Sequence, residues 1–133
     1  MVDALRRAHK IVRPEGCVVD LHPTAALSLL EVGARCTGRV DAGDAPSRHA
    51  AAGAAISAAI DEGLFAAERG VDFTFYTYGD TIEELRDYIV ENWRNARIDE
   101  ETIDRTREAL RDAPGTRPRV RECVRVTRLQ PIA

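Results

Sequence analysis

The sequence predicts an α/β fold, a small mixed sheet with flanking helices. Segments with apolar residues at helical spacing alternate along the chain with segments of strand character. The strand-like runs, Cys17 to Leu21, Val71 to Tyr78 and Val120 to Leu129, are bounded by proline or glycine turns. A length of 133 residues fits one domain that buries roughly two-thirds of the surface its unfolded chain exposes.

Val2 to Val12 places Ala4, Leu5, Ala8, Ile11 and Val12 on one face at helical spacing. Arg13-Pro14-Glu15-Gly16 ends that helix, since the residue before proline avoids the α conformation and glycine supplies a turn. Cys17-Val18-Val19-Asp20-Leu21 then reads as a strand covered from both sides, and His22-Pro23 stops it. Leu27 to Val32 and Cys36 to Val40, around Gly33-Ala34-Arg35, form a hairpin on one reading; a short helix from Thr24 to Leu30 is the other.

A loop from Asp41 to Pro46 follows, with Ser47 as N-cap of an alanine-rich helix that ends before Gly63. Leu64 to Ala67 is a short strand or a last apolar turn. Val71 to Tyr78 alternates Phe73, Phe75 and Thr77 against Thr74, Tyr76 and Tyr78 until Gly79 breaks it. Thr81 and Glu84 have capping-box spacing, and Ile82, Leu85, Ile89 and Trp93 give the next helix its apolar face. A further helix over Asp99 to Arg111 carries acids early and arginine late, as the helix dipole favours. Pro114, Gly115 and Pro118 make a loop before the last strand.

The composition is that of an ordinary globular chain, with 44% hydrophobic and 31% charged residues. The net charge of −3, with acids and bases interleaved, gives no reason to expect nucleic acid or an anionic membrane as partner. No apolar run approaches the ~20 residues of a membrane span and no signal peptide opens the chain, so a cytoplasmic protein is expected. Cys17, Cys36 and Cys123 are spread singly, which argues against a disulfide framework or zinc site and for small buried hydrophobes.

Asp20 and His22 leave the end of an apolar strand, where α/β folds place ligands, and are the catalytic candidates, His22 as general base. The alternative is that Asp20 caps a turn and His22 sits in an exposed loop. Tyr76, Tyr78 and Asp80 are the substrate-binding candidates, the tyrosines able to stack on a small organic molecule. Their alternative is packing beneath the following helices. His22, His49, Asp41 and Asp44 have no spacing that fixes a metal, so no metal ligands are assigned. Arg117, Arg119, Arg121, Arg125 and Arg128 read as a solvated strand edge rather than an anion site. Ser28, Ser47 and Ser57 lack a nucleophile-elbow context.

The run from Ala8 to Asp20, Ala8-His9-Lys10-Ile11-Val12-Arg13-Pro14-Glu15-Gly16-Cys17-Val18-Val19-Asp20, resembles a segment of class I S-adenosylmethionine-dependent methyltransferases. There a helix, a Pro-Gly turn and the fifth strand of a Rossmann-like sheet follow one another; Glu15 stands where the first glycine is usual. The resemblance extends over nearly the whole chain: Val71 to Tyr78 is similar to the sixth strand, and Val120 to Leu129 to the final antiparallel strand. It implies the C-terminal half of such a fold, a single half-domain over residues 1–133 with the final strand in the middle. The 81–111 segment would serve as a lid.

The family's glycine-rich loop and ribose-binding acid have no counterpart here, so the resemblance implies no cofactor bound by this chain alone. S-adenosylmethionine would bind only with a partner. The functions it implies are a binding or interaction protein, a homodimer or a complementary subunit, or a small-molecule methyltransferase whose cofactor half another chain supplies. In the full family fold a further strand covers the Cys17 to Leu21 edge, which is therefore expected to pair with another chain.

Overall fold

The computed structural model describes residues 1–133. The elements are α1 (Val2–Ile11), β1 (Val18–Pro23), β2 (Leu29–Val32), β3 (Arg35–Arg39), α2 (Ala45–Asp61), β4 (Phe65–Tyr78), α3 (Ile82–Asn92), α4 (Glu100–Asp112) and β5 (Pro118–Pro131). Five strands form one open sheet in the order β1-β5-β2-β3, with β4 also paired to β5. The sheet was expected to be mixed; β1 and β2 instead run antiparallel to β5, and β3 antiparallel to β2. The last strand in sequence is thus the shared neighbour of β1, β2 and β4. No helix is long and apolar enough to cross a membrane.

The chain divides into two units, and β4 and β5 contribute to both. The first comprises residues 1–25, 47–73 and 124–133. Leu5, Ile56, Ala59, Phe65 and Leu129 form its core, with Val12, Val18, Ile60 and Leu64 packed around them. Each fully buried side chain of Leu or Phe size contributes about 1.5–3 kcal/mol. The face of α1 is narrower than the spacing suggested, for Ile11 points to solvent. Arg6 ties α1 to the end of α2, donating to Glu62 at 2.6 and 3.0 Å. Val18 pairs with Leu129 and His22 with Arg125 across β1 and β5.

The second unit comprises residues 26–46 and 74–123. Its core is Leu30, Val40, Ile82, Leu85, Ile89, Ala96, Ile98, Ile103 and Val120, with Trp93 and Leu110 beside it. The β2–β3 hairpin turns on Gly33 and Ala34, with Gly33 at φ +57°, so the hairpin and not the helix is what forms. Thr81 caps α3 by accepting from the Glu84 amide at 3.1 Å, while the Glu84 carboxylate accepts from the Asp80 amide at 3.2 Å. Asp99 caps α4 in the same way, accepting from the Thr102 amide at 2.7 Å.

Four local expectations are corrected. Helix α2 opens at Ala45, so Ser47 is inside its first turn; Pro46 fits there because first-turn amides have no intrahelical partner. β4 is one strand of 14 residues, because pairing with β5 carries it through Gly70. β1 runs on through His22 to Pro23, which stands opposite Val124 at the strand's end. The cysteines are free but not buried: Cys17 and Cys36 are exposed and Cys123 is half-buried.

Candidate functional site

In the first unit the strand alternation places Val18, Asp20 and His22 on one face of β1 and Val19 and Leu21 on the other. The polar pair is on the face shared with Leu129 and hence with the core under α1 and α2. Val19 and Leu21 are instead 60% and 61% exposed. Apolar residues outside and polar residues inside invert the usual pattern of a one-sided strand.

His22 Nδ1 lies 2.5 Å from Asp20 Oδ2, with side chains only 11% and 14% exposed. The carboxylate oxygen accepts, so Nδ1 donates to it and the other ring nitrogen is Nε2. That nitrogen is turned toward α2: a Cβ added at Gly53 would sit 4.0 Å from it. Neither residue caps a turn or occupies a loop. The pair has the arrangement of a base held in one tautomer by a carboxylate.

One turn before Gly53, His49 places its Nδ1 3.2 Å from the Thr24 carbonyl, just beyond His22. Burial, followed by the charges of Arg48 and His22, holds the His49 pKa below its ordinary value, against the opposing hydrogen bond to Thr24. Across the sheet Arg125, the strand partner of His22, donates to both oxygens of Asp72 at 2.7 and 3.0 Å. The Arg125 hydrogen bonds hold the Asp72 carboxyl below the usual carboxylate range. Asp72 therefore lies on the Asp20 face, and its neighbours Val71 and Phe73 project with Val19 and Leu21. An open hollow of about 440 Å³ between the start of α1 and α2, lined by Met1, Val2, Arg48 and alanines of α2, contains none of these polar groups.

The second unit holds Tyr76, Tyr78 and Asp80. Leu30 and Val120 face the core with α3 and α4, so Glu31, Arg119 and Arg121 take the opposite face. The Arg119 guanidinium lies 4.1 Å from the centre of the Tyr76 ring and donates to Tyr78 Oη at 3.4 Å and Glu31 Oε1 at 3.1 Å. These contacts, with the Tyr78 oxygen first, hold the guanidinium above its ordinary pKa. Arg121 approaches the second Glu31 oxygen at 3.3 Å. Arg117 is 4.9 Å from the Tyr78 ring centre and 3.5 Å from Asp80.

The tyrosines are thus not packed beneath helices; they stand half-open against arginines. Nor are the arginines a solvated edge, since β5 is paired on both sides. Asp20 and His22 are brought into contact, and Tyr78 is linked to Asp80 through Arg117. Glu31 had no role in the sequence reading, and His49 entered it only among the metal ligands that were not assigned. The signal for Glu31 was an acid inside the apolar run Leu29 to Val32, matched to arginines at alternate positions of β5. No family model, curated protein or solved structure matches the chain.

Proposed function

We propose that the chain is an interaction domain, a methyltransferase-like half-domain that pairs the open edge of its sheet with a second copy or a complementary subunit. The observation that carries this reading is β1. It is the terminal strand of the sheet order, bonded on one side to β5 and bare on the other, with Val19 and Leu21 exposed. Unpaired amides and carbonyls beside exposed apolar side chains are the features that monomeric proteins suppress with charge, proline or a covering segment. Here only the last residue of the strand is proline, and its one charged group, Asp20, faces inward. Val71 and Phe73, 42% and 39% exposed, extend the apolar face beyond β1. In this reading β5, which pairs with both β1 and β4, takes the place of the family's final strand.

Native mass spectrometry at tens of micromolar protein, with bound partners retained, tests the reading. A dimer or a stoichiometric heteromer is expected, reduced to a monomer by V19K/L21K, which leaves the core residue Val18 in place. A wild-type monomer would sink the proposal.

A second reading is favoured by the Asp20–His22 pair: a small-molecule methyltransferase whose cofactor half comes from another chain. In it His22 would accept the proton lost by the methyl acceptor, Asp20 would hold the ring, and Tyr76, Tyr78 and Asp80 would contact substrate. Co-purified S-adenosylhomocysteine with a second polypeptide would support it. A homodimer lacking any such ligand would count against it.

A further inference from the structure

We propose that the open sheet face of the second unit binds single-stranded RNA, stacking bases on tyrosine–arginine pairs and holding phosphates with guanidinium groups. The residues are Tyr76, Tyr78, Arg117, Arg119 and Arg121, with Asp80 at the end, and all belong to that one unit. This inference does not rest on the edge-pairing reading.

Side chains two apart on a strand share a face and stand roughly 6.5–7 Å from one another. Tyr76 and Tyr78 at the end of β4, and Arg117, Arg119 and Arg121 at the start of β5, therefore make two neighbouring rows. The rows interlock. The Arg119 guanidinium lies over the Tyr76 ring at 4.1 Å from its centre, and that of Arg117 over the Tyr78 ring at 4.9 Å. The ring centres are 6.2 Å apart with the planes tilted by 44°, and Arg119 also donates to Tyr78 Oη at 3.4 Å. Two rings and two guanidinium planes are thus held side by side without a ligand.

Nucleobases stack on aromatic rings and on arginine planes with little regard to sequence. Tyr78, Arg117 and Arg121 are each more than two-fifths exposed, so the face is open. An open face suits an extended chain; a small molecule needs a concave site that encloses it. An acidic peptide would need the cations alone, whereas here the cations are mounted on rings.

The charges agree with a polyanion. Glu31 and Asp80 answer two of the three guanidinium charges, which leaves one in surplus. Arg117 reaches Asp80 through Nη1 at 3.5 Å and Arg121 approaches Glu31 through Nε at 3.3 Å, so each keeps further N–H donors for phosphate oxygens. Asp80 would repel a phosphate. A carboxylate accepts hydrogen bonds, and the donor that RNA offers beside each phosphate is the ribose 2′-hydroxyl. The net charge of −3 gave no sign of such a partner, because the surplus arises only where β4 and β5 align alternate residues.

Fluorescence anisotropy of a labelled twelve-residue oligouridylate, titrated with the full chain at pH 7.5 in 50 mM salt, tests the proposal. Saturable binding is expected, with a log–log salt slope of about −1.4, the value for two phosphates neutralised on a single strand. Y76A/Y78A should weaken binding roughly tenfold or more. R117Q/R121Q should flatten the salt dependence, whereas R7Q/R13Q, which removes two exposed cations of the first unit, should leave affinity unchanged. An oligomer with the same ribose–phosphate backbone but no bases should bind the wild type at least tenfold more weakly, a comparison that requires no variant to fold. Oligothymidylate, which lacks the 2′-hydroxyl, should bind several-fold more weakly. The proposal is overturned if oligouridylate does not bind at a hundred micromolar protein, or if the base-free strand or oligothymidylate binds equally well. It is also overturned if folded Y76A/Y78A keeps wild-type affinity, or if R7Q/R13Q matches the loss seen with R117Q/R121Q.

Discussion

Glu31 on β2 and Arg119 on β5 stand directly opposite one another across the strand pair and are joined at 3.1 Å, although the Glu31 side chain is only 6% exposed. Arg121 reaches the other oxygen of the same carboxylate at 3.3 Å. Two cations on one buried acid satisfy it, and removing the acid leaves both arginines without their carboxylate partner. Glu31→Ala should lower unfolding stability by about 1–3 kcal/mol, the cost of losing hydrogen bonds to a charged group while both arginines, 22% and 43% exposed, keep access to water. Glu31→Gln, which keeps acceptor capacity, should cost less. Urea denaturation measures both, and equal losses would show that packing rather than charge sets the effect.

Stability should fall as the pH drops from 7.5 toward 5, with His49 as the cause. Its pKa in the folded protein lies below the 6.5 of an unperturbed histidine, chiefly through burial. Below 6.5 the unfolded chain therefore binds more protons than the folded one, so acid favours unfolding. The contribution is complete above the unfolded pKa and is lost as the pH falls through the folded pKa. Thermal melts of the wild type and H49Q across this range test the sign; a wild-type slope that survives H49Q would assign it elsewhere. Asp72 and Glu62, whose pKa values are lowered mainly by hydrogen bonds from Arg125 and Arg6, add a loss that begins only in the carboxylate range.

Gly79 joins β4 to α3 where a Cβ would lie 2.7 Å from Leu85 Cβ and 2.8 Å from the Thr81 carbonyl. One of those atoms belongs to a fully buried side chain and the other to the helix cap. Neither can yield cheaply. Gly79→Ala should destabilise by about 1–3 kcal/mol through overpacking, read by denaturant midpoint. Gly33→Ser tests a different constraint, since nothing lies within 4 Å of a Cβ there and only the left-handed backbone resists.

The isolated chain should not bind S-adenosylmethionine, since neither a glycine-rich turn nor a ribose-binding acid is present in its sequence. Calorimetric titration should give no saturable heat, and a micromolar dissociation constant would require a cofactor site formed some other way.

The sequence disclosed periodic elements well and long-range pairings poorly. α1, α3, α4 and the hairpin follow from apolar spacing, Pro14, the Thr81 cap, the acids and arginine at the two ends of α4 and the turn at Gly33, all of which act within a few residues. The continuity of β4 across Gly70 could not be seen, because a glycine in isolation weakens a strand and only the ladder with β5 overrides it. Asp20 and His22 were recognised from their spacing of two on a strand, a local relation. His49 was not, because the contact that matters spans 25 residues between Thr24 and α2. The cysteines misled for a related reason: Cys17 precedes β1 and Cys36 lies on the outermost strand β3, so strand character did not mean burial.

β5 is synthesised after every strand that pairs with it. Val18 must wait for Leu129 and Leu30 for Val120, so neither pairing can form while the ribosome is still making the helices between them. Until then the nascent chain has only the hairpin and its helices as local elements, while the strands β1 and β4 stay without neighbours. Closure over such separations is slow, which makes the interval between emergence and closure the period of greatest exposure to chaperones and to aggregation. A stop codon in place of Pro118 would leave every helix encoded and still deprive three strands of the one they share.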